Sequence, residues 1–422
     1  MEIKKIKAIR ILDSRGIPTI KTFVYTNEVV ASACVPSGTS AGKHEAIELR
    51  DKSKDYKGKD VSKAINNVNT KIAKALIGEF VLDQEKIDKK LIKLDGTYNK
   101  SKLGANAILS VSLACARAAA LELEMPLYQY ISRLNNNKKF KFPVPELNII
   151  NGGEHAGSNL TFQEFQIIPK FKTFEETIKA AVEVYLTLKE ILKKELGSSS
   201  TNVGYEGGFV PNLSEPNEIL ELDFIQQAIN KAGYKKQISL GLDCAANSFY
   251  NPKTKKYKVD NKQYSSEQLI NYYLKLIKNY NISSIEDPFH EDDKKAWKEF
   301  YKKVNKKINI IGDDLLVTNP KLIKKAIKEK YCNSLLLKVN QIGTLTESIE
   351  AYNLAKQAGW NVVVSHRSGE TEDPFIADLA YGLGSEYIKF GAPGRSERTA
   401  KYNRLLEIEC LNKWIYIILN IK

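Results

Sequence analysis

The chain has 422 residues, a formal net charge of +14, 43% hydrophobic and 27% charged residues, a balance that supports a large core and excludes disordered, collagenous or disulfide-scaffold classes. Its longest apolar runs, 107–116 and 414–419, fall short of the ~20 residues that cross a bilayer, and the opening MEIKKIKAIR lacks the apolar stretch of a secretory signal, so a cytoplasmic protein with no membrane partner is expected. Only nine of the 64 basic residues are Arg, the side chain suited to bidentate phosphate and base contacts, and the five scattered Cys include no C-x-x-C pair, so neither specific nucleic-acid binding nor a cysteine clip is expected.

From the N-terminus, 4–11, 20–25 and 29–36 have strand character and are separated by the turn chemistries DSRGIP and TNE. Val61, Ile65, Val68 and Ile72 repeat at helical spacing, and 104–121 predicts a more apolar helix that ends near Pro126. Residues 1–135 are therefore expected to form a small α+β domain capping a larger one.

From about 140 the pattern changes. Eight short apolar runs each finish on polar residues: 144–151, 163–169, 238–243, 282–287, 308–314, 335–340, 361–366 and 386–391. From the third onward they alternate with helical stretches such as 264–279, 319–330 and 344–358, the rhythm of parallel βα units. Residues 140–422 are thus expected to form a (β/α)8-type barrel. About ten residues, GGEHAGSNLT, join runs one and two, too few for a parallel crossover, so the second strand is predicted to be antiparallel. The long connection after it has room for helices at 173–196 and 215–232 around NVGYEGGFVPN.

Catalytic groups of a barrel sit at the carboxyl ends of its strands. Those positions hold Gln163 and Glu164 beside strand two, then Asp243, Glu286, Asp313, Lys338, His366 and Lys389. Three carboxylates from adjacent strands call for a cation, and an all-oxygen donor set selects a hard ion such as Mg²⁺; the alternative is that each pairs with lysine. A lysine placed beside other cations has its neutral form favoured, which lowers its pKa toward that of a base. Of the four histidines, His155 in NGGEHAG and His366 fall at the expected mouth, whereas His44 and His290 are weaker candidates.

The segments LDSRGIPT, VPSGTSAGKHEA, KSKLGANAILSVSLA, NGGEHAG with QEF, NVGYEGGFVPN, SIEDPF, GDDLLVTNP, LLLKVNQIGTLTE, SHRSGETED and GAPGRSERTAKYN together resemble the enolase family, in order and across nearly the whole chain. The resemblance implies reversible dehydration of 2-phospho-D-glycerate to phosphoenolpyruvate with two Mg²⁺ per active site, in a homodimer or higher homo-oligomer. It implies that Asp243, Glu286 and Asp313 bind the first ion, near the substrate carboxylate, and that Ser40 joins the second as its loop closes. Lys338 takes the C2 proton; Glu206, protonated among carboxylates, assists departure of the C3 hydroxyl with Glu164 and Gln163 beside it. Arg367 and Ser368 hold the phosphate, Lys389 the carboxylate, and His155 and His366 complete the pocket.

Four positions depart from the usual pattern of that family: Ile17, Ala41, Glu154 and Phe390. Glu154 adds an anion next to His155, and with Phe390 it is expected to affect substrate affinity. The Gly-rich segments 37–42, 152–157 and 204–208 read as loops free to close over substrate. Two other readings remain: a related metal-dependent enzyme acting on a phosphate-free acid, which would need neither SHRSG nor Ser40, and a binding protein, which would leave the strand-end residues unexplained.

Overall fold

Alternating apolar and polar residues make the N-terminal strands half-buried. β1 (Lys5–Leu12), β2 (Pro18–Tyr25) and β3 (Val30–Cys34) form an antiparallel meander in which Tyr25 faces Lys5 on one side and Val30 on the other. Ile6, Ala8, Ile20, Val24, Ala31 and Ala33 thereby line one buried face. The computed structural model describes residues 1–38, 42–215 and 217–420, with side chains as far as 413. Ser40 and Ala41 lie outside the described residues.

The first helix is interrupted: α1 (Ser62–Asn67) passes through a π turn at Val68–Ile72 into α2 (Ala73–Leu76). On its buried face Ala64 and Asn67 join Val61, Val68 and Ile72, while Ile65 is only half-buried. α3 (Gln84–Asp95), α4 (Ala105–Glu122) and α5 (Leu127–Leu134) complete this smaller domain. Among the described residues α4 is the one helix long and apolar enough to cross a membrane, but it is buried against β2 and β3. Each fully buried Ile or Leu on it contributes about 1.5–3 kcal/mol.

The larger domain begins with β4 (Val144–Pro145) and β5 (Leu147–Asn151), followed by β6 (Glu164–Pro169) and β7 (Ile238–Asp243). A separate small sheet holds β8 (Tyr250–Asn251), β9 (Lys256–Val259) and β10 (Lys262–Tyr264). β11 (Ile282–Glu286), β12 (Asn309–Gly312), β13 (Ser334–Leu337), β14 (Asn361–Ser365) and β15 (Tyr387–Lys389) follow. The order is β4-β15-β14-β13-β12-β11-β7-β6-β5. Because β4 and β5 are one stretch of chain broken only at Glu146, the sheet closes on itself as a barrel. As the short first connection requires, β6 runs antiparallel to both β5 and β7, and the other neighbours are parallel.

The outer helices are α6 (Phe174–Leu196), α7 (Glu218–Lys231), α8 (Ser266–Asn279), α9 (Lys294–Val304), α10 (Pro320–Glu329), the short α11 (Val339–Ile342), α12 (Leu345–Gln357), α13 (Phe375–Leu383) and α14 (Ser396–Asn420). All five that the sequence delineates start on a side-chain cap: Thr173 and Ser265 in full capping boxes, and Asn217, Asn319 and Thr344. Each such cap is worth about 1 kcal/mol. The smaller domain covers the barrel mouth, where Ser37 and Gly369 exchange two backbone hydrogen bonds of 2.8 and 2.9 Å.

Candidate active site

Strand register assembles the site. Glu164 faces Asp243 across β6 and β7, and Asp243 faces Glu286 across β7 and β11. The antiparallel β6 thus brings its first residue to the edge where its neighbours bring their last. β12, β13 and β14 end at Gly312, Leu337 and Ser365, so Asp313, Lys338 and His366 are the first residues beyond them. The sequence runs over-extend these strands because each was closed on the polar residues that follow, such as Asp313, Lys338 and His366, and these lie in the first turn of the loop. Gln163, Glu164, Glu206, Asp243, Asp313, Lys338, His366, Arg367, Ser368 and Lys389 line one polar pocket of about 40 Å³. It shares Glu45, His155 and Arg367 with an outer cleft of about 1060 Å³.

Lysine and carboxylate alternate through this pocket. Lys389 Nζ lies 2.8 Å from Glu286, 2.9 Å from Asp243 and 3.1 Å from Glu164. Lys338 Nζ lies 2.5 Å from Asp313. The alternative of lysine pairing is therefore realised, but by the strand-end lysines themselves. Asp313 also accepts from Gln341 Nε2 at 2.8 Å, and Asp243 from Gln163 Nε2 at 3.0 Å. Asp313 converges with Asp287 and Asp314, their donor atoms within 4.8 Å of one another.

The charge states follow from these contacts. Burial alone would lower both lysines, but Asp313 outweighs it at Lys338, and Asp243, Glu164 and Glu286 outweigh it at Lys389, so both ammonium groups are held above the ordinary value. Asp313 thus works against the lowering expected for Lys338 from neighbouring cations, among which Arg367 and Lys389 still act. Burial and the nearby Asp243 push Glu286 well up, and its Oε1 is buried with no hydrogen-bond partner. Such an orphaned oxygen among all-oxygen donors fits a hard divalent cation.

The opposite wall carries a carboxyl pair with divided states. His155 Nδ1 lies 3.2 Å from Glu206 and 3.9 Å from Glu164, and His366 Nε2 lies 3.4 Å from Glu206. Asn148 Nδ2 donates to Glu206 at 2.7 Å and Gln166 Nε2 to Glu164 at 2.9 Å. Burial opposes ionisation of Glu206, but His155, His366 and Arg398 overcome it and hold this carboxyl well below the usual range. Burial and the neighbouring Glu206 push Glu164 well above it. The two carboxyls are thus driven apart, Glu206 down and Glu164 up, whereas the sequence reading took Glu206 as the protonated one. Burial also keeps His366 neutral.

Arg367 is buried, lies 3.0 Å from Glu45 and donates to Asn340 Oδ1 at 3.1 Å. Ser368 follows it on the pocket wall, and Arg15 Nη1 reaches Ser368 Oγ at 3.5 Å. Glu45, Asn148, Gln341 and Arg398 belong to the site but were not singled out from sequence. Glu45 lies inside the motif VPSGTSAGKHEA, whose pattern carries no hint of the Arg367 contact.

Two departures resolve simply. Glu154 is exposed on the outer cleft, outside the inner pocket, and Phe390 is buried with its ring centroid 5.9 Å from that of Tyr402. Ile17 lines the outer cleft. The Gly-rich segment 204–208 is packed, not loose: a Cβ on Gly204 would come 2.8 Å from the His155 carbonyl, and one on Gly208 2.8 Å from Asn151 Oδ1.

Two family descriptions match this chain: the enolase N-terminal domain over residues 3–131 and the enolase C-terminal TIM barrel domain over 139–413. It is 55% identical over 421 residues to Enolase B of Dictyostelium discoideum, covering 97% of this chain and 95% of that protein. It is 52% identical to Enolase of Solanum lycopersicum (96% and 95% covered) and 51% identical to Enolase 1 of Entamoeba histolytica (97% and 96%). The chain therefore belongs to the enolase family, the Mg²⁺-dependent lyases that interconvert 2-phosphoglycerate and phosphoenolpyruvate.

Proposed function

We propose that the strand-end residues divide this dehydration between two walls of the pocket. Asp243, Glu286 and Asp313 would hold one Mg²⁺ and Ser40 would contribute to a second, two per site. Bound Mg²⁺ supplies Lewis-acid polarisation of the substrate carboxylate and stabilisation of the charge that grows on it. Lys338 removes the C2 proton. For that it must shed its own proton, which loss of Asp313 as a partner favours, as do the positive charges of Arg367 and Lys389. Lys389 faces the substrate carboxylate, and Arg367 with Ser368 faces the phosphate.

On the other wall, Glu164 and Glu206 with His155 and His366 face the C3 hydroxyl, which leaves as water and so needs a proton. The pair carries one on Glu164, and Glu206 relays it to the departing oxygen. Gln163 orients Asp243. The observation that carries this reading is that Asp243, Glu286, Asp313, Lys338, His366 and Lys389 all fall at the ends of successive strands around one mouth. The domains are assigned as 1–135 and 140–422, the assembly as a homodimer or higher homo-oligomer and the location as cytoplasmic; the family matches ending at 131 and starting at 139 support the boundary.

The test is ultraviolet absorbance of the enol phosphate formed from 2-phosphoglycerate during Mg²⁺ titration. Activity should rise through two separable Mg²⁺ dependences, and Asp243→Asn should weaken the tighter one. A single dependence unaltered by Asp243→Asn and Glu286→Gln would overturn the assignment.

A further inference from the structure

Arg398 is fully buried on α14, and all four of its terminal N–H groups are committed. Nη1 lies 2.7 Å from His366 Nδ1 and donates to the Arg367 carbonyl at 2.7 Å. Nη2 donates to the carbonyls of Tyr205 and Ser368 at 2.9 and 2.7 Å. Its Nε lies 3.5 Å from Glu397 Oε1. One guanidinium thus grips the His366 ring, the loop after β14, and the main chain next to Glu206.

A guanidinium has donors and no acceptor. At 2.7 Å, His366 Nδ1 must therefore present its lone pair, because two N–H groups cannot face each other at that distance. The ring proton is left on Nε2, which is buried without a hydrogen-bond partner and lies 3.4 Å from Glu206 Oε1, placed to donate toward that carboxylate or a bound substrate oxygen. The main chain that carries the ring is anchored, the backbone N–H of His366 donating to the Lys389 carbonyl at 2.9 Å.

We propose that Arg398 is a positioning residue that fixes His366 as the Nε2–H tautomer, so that the imidazole is a dedicated donor toward Glu206 and the C3 hydroxyl. The tautomer follows from the contacts alone; its use in the reaction rests on the reading above that this wall serves the C3 side. The groups facing the ring are Arg398 on one side and Glu206 on the other, with Lys389 and Lys338 further off.

The test is ¹⁵N-histidine NMR of the full-length protein, with the His366 signals assigned by their loss in His366→Asn. Wild type should show a pyrrole-like Nε2 and a pyridine-like Nδ1 throughout the neutral pH range. A protonated Nδ1, in the other tautomer or in the imidazolium, would overturn the proposal whether or not any Arg398 variant folds. In Arg398→Met the ring should populate both tautomers, and kcat should fall by on the order of 10²-fold or more, a wrong tautomer costing about 10⁴ in a serine-protease triad. A pure Nε2–H ring in a folded Arg398→Met would show that something other than Arg398 sets it. The spectra need no turnover, so they fail separately from the assignment of the C3 wall, which is read from dehydration in Glu206 variants.

Discussion

Lys389 is wholly buried and the Lys338 side chain is only 12% exposed, an arrangement tolerated because carboxylates lie beside them. Their placement at strand ends was legible in the sequence. Their partners were not: nothing in the run LLLKVN indicates that Asp313 reaches Lys338, or that Glu45, hundreds of positions from Arg367, closes on it. The division between Glu164 and Glu206 escaped for the same reason, since it depends on which carboxyl the two histidines and Arg398 approach. It also yields an expectation. Glu206→Gln should lose dehydration by roughly 10²–10⁴-fold yet still exchange the C2 hydrogen of 2-phosphoglycerate with solvent, because Lys338 is untouched. Simultaneous loss of exchange, followed by NMR in D₂O, would count against separate walls.

At the scale of elements, periodicity located the barrel strands and five outer helices well, because capping residues mark helix starts and polar residues mark strand ends. It misplaced the strands' last residues, and it took 204–208 for a loose lid. That segment needs glycine for close approach, which a composition pattern cannot distinguish from flexibility. Gly208→Ala, whose Cβ would meet Asn151 Oδ1 at 2.8 Å and Asn148 Oδ1 at 2.9 Å, should displace Glu206. Displacements near 1 Å cost about 10²-fold in rate, so kcat should fall to that extent while the fold, followed by circular dichroism, persists. Unchanged kcat would return the segment to a mobile loop.

α7 presents another element-level consequence. Glu218 and Glu221 are both buried near its first turn, and burial pushes each up to about 8 from the ordinary 4.5. Glu218 accepts from the Thr161 N–H at 2.6 Å, whereas neither oxygen of Glu221 has a hydrogen-bond partner. A carboxyl whose folded pKa is raised contributes stability that is complete below its unfolded value and lost as pH climbs through its folded one. Stability should therefore decline between about pH 4.5 and pH 8 on account of these groups. Glu221→Gln removes one of the ionisations, and should be more favourable to stability at pH 8 than at pH 5. Urea unfolding at the two pH values measures this; an equal effect at both would mean Glu221 does not titrate in that window.

For the whole molecule, the smaller domain and the barrel meet at the site, where Ser37, Arg15 and Glu45 lie against the loop after β14. A ligand that draws these groups together binds the folded chain and not the unfolded one. Mg²⁺ at a hundredfold its dissociation constant should therefore stabilise the protein by about 2.7 kcal/mol for one site, and EDTA should reverse both that gain and the activity. The ten-motif resemblance located this convergence from sequence alone because most of the motifs carry residues at the mouth, KSKLGANAILSVSLA in the buried α4 being an exception; the pairing across domains became visible only in three dimensions.

The central claim is that a buried lysine on one wall abstracts the C2 proton while the opposite wall handles the hydroxyl. Its most direct measurement is the exchange of the C2 hydrogen of 2-phosphoglycerate in D₂O with Mg²⁺, compared between the wild-type chain and Lys338→Ala. The wild type should exchange, and the variant should bind substrate without exchanging. Exchange at the wild-type rate in Lys338→Ala would contradict the account.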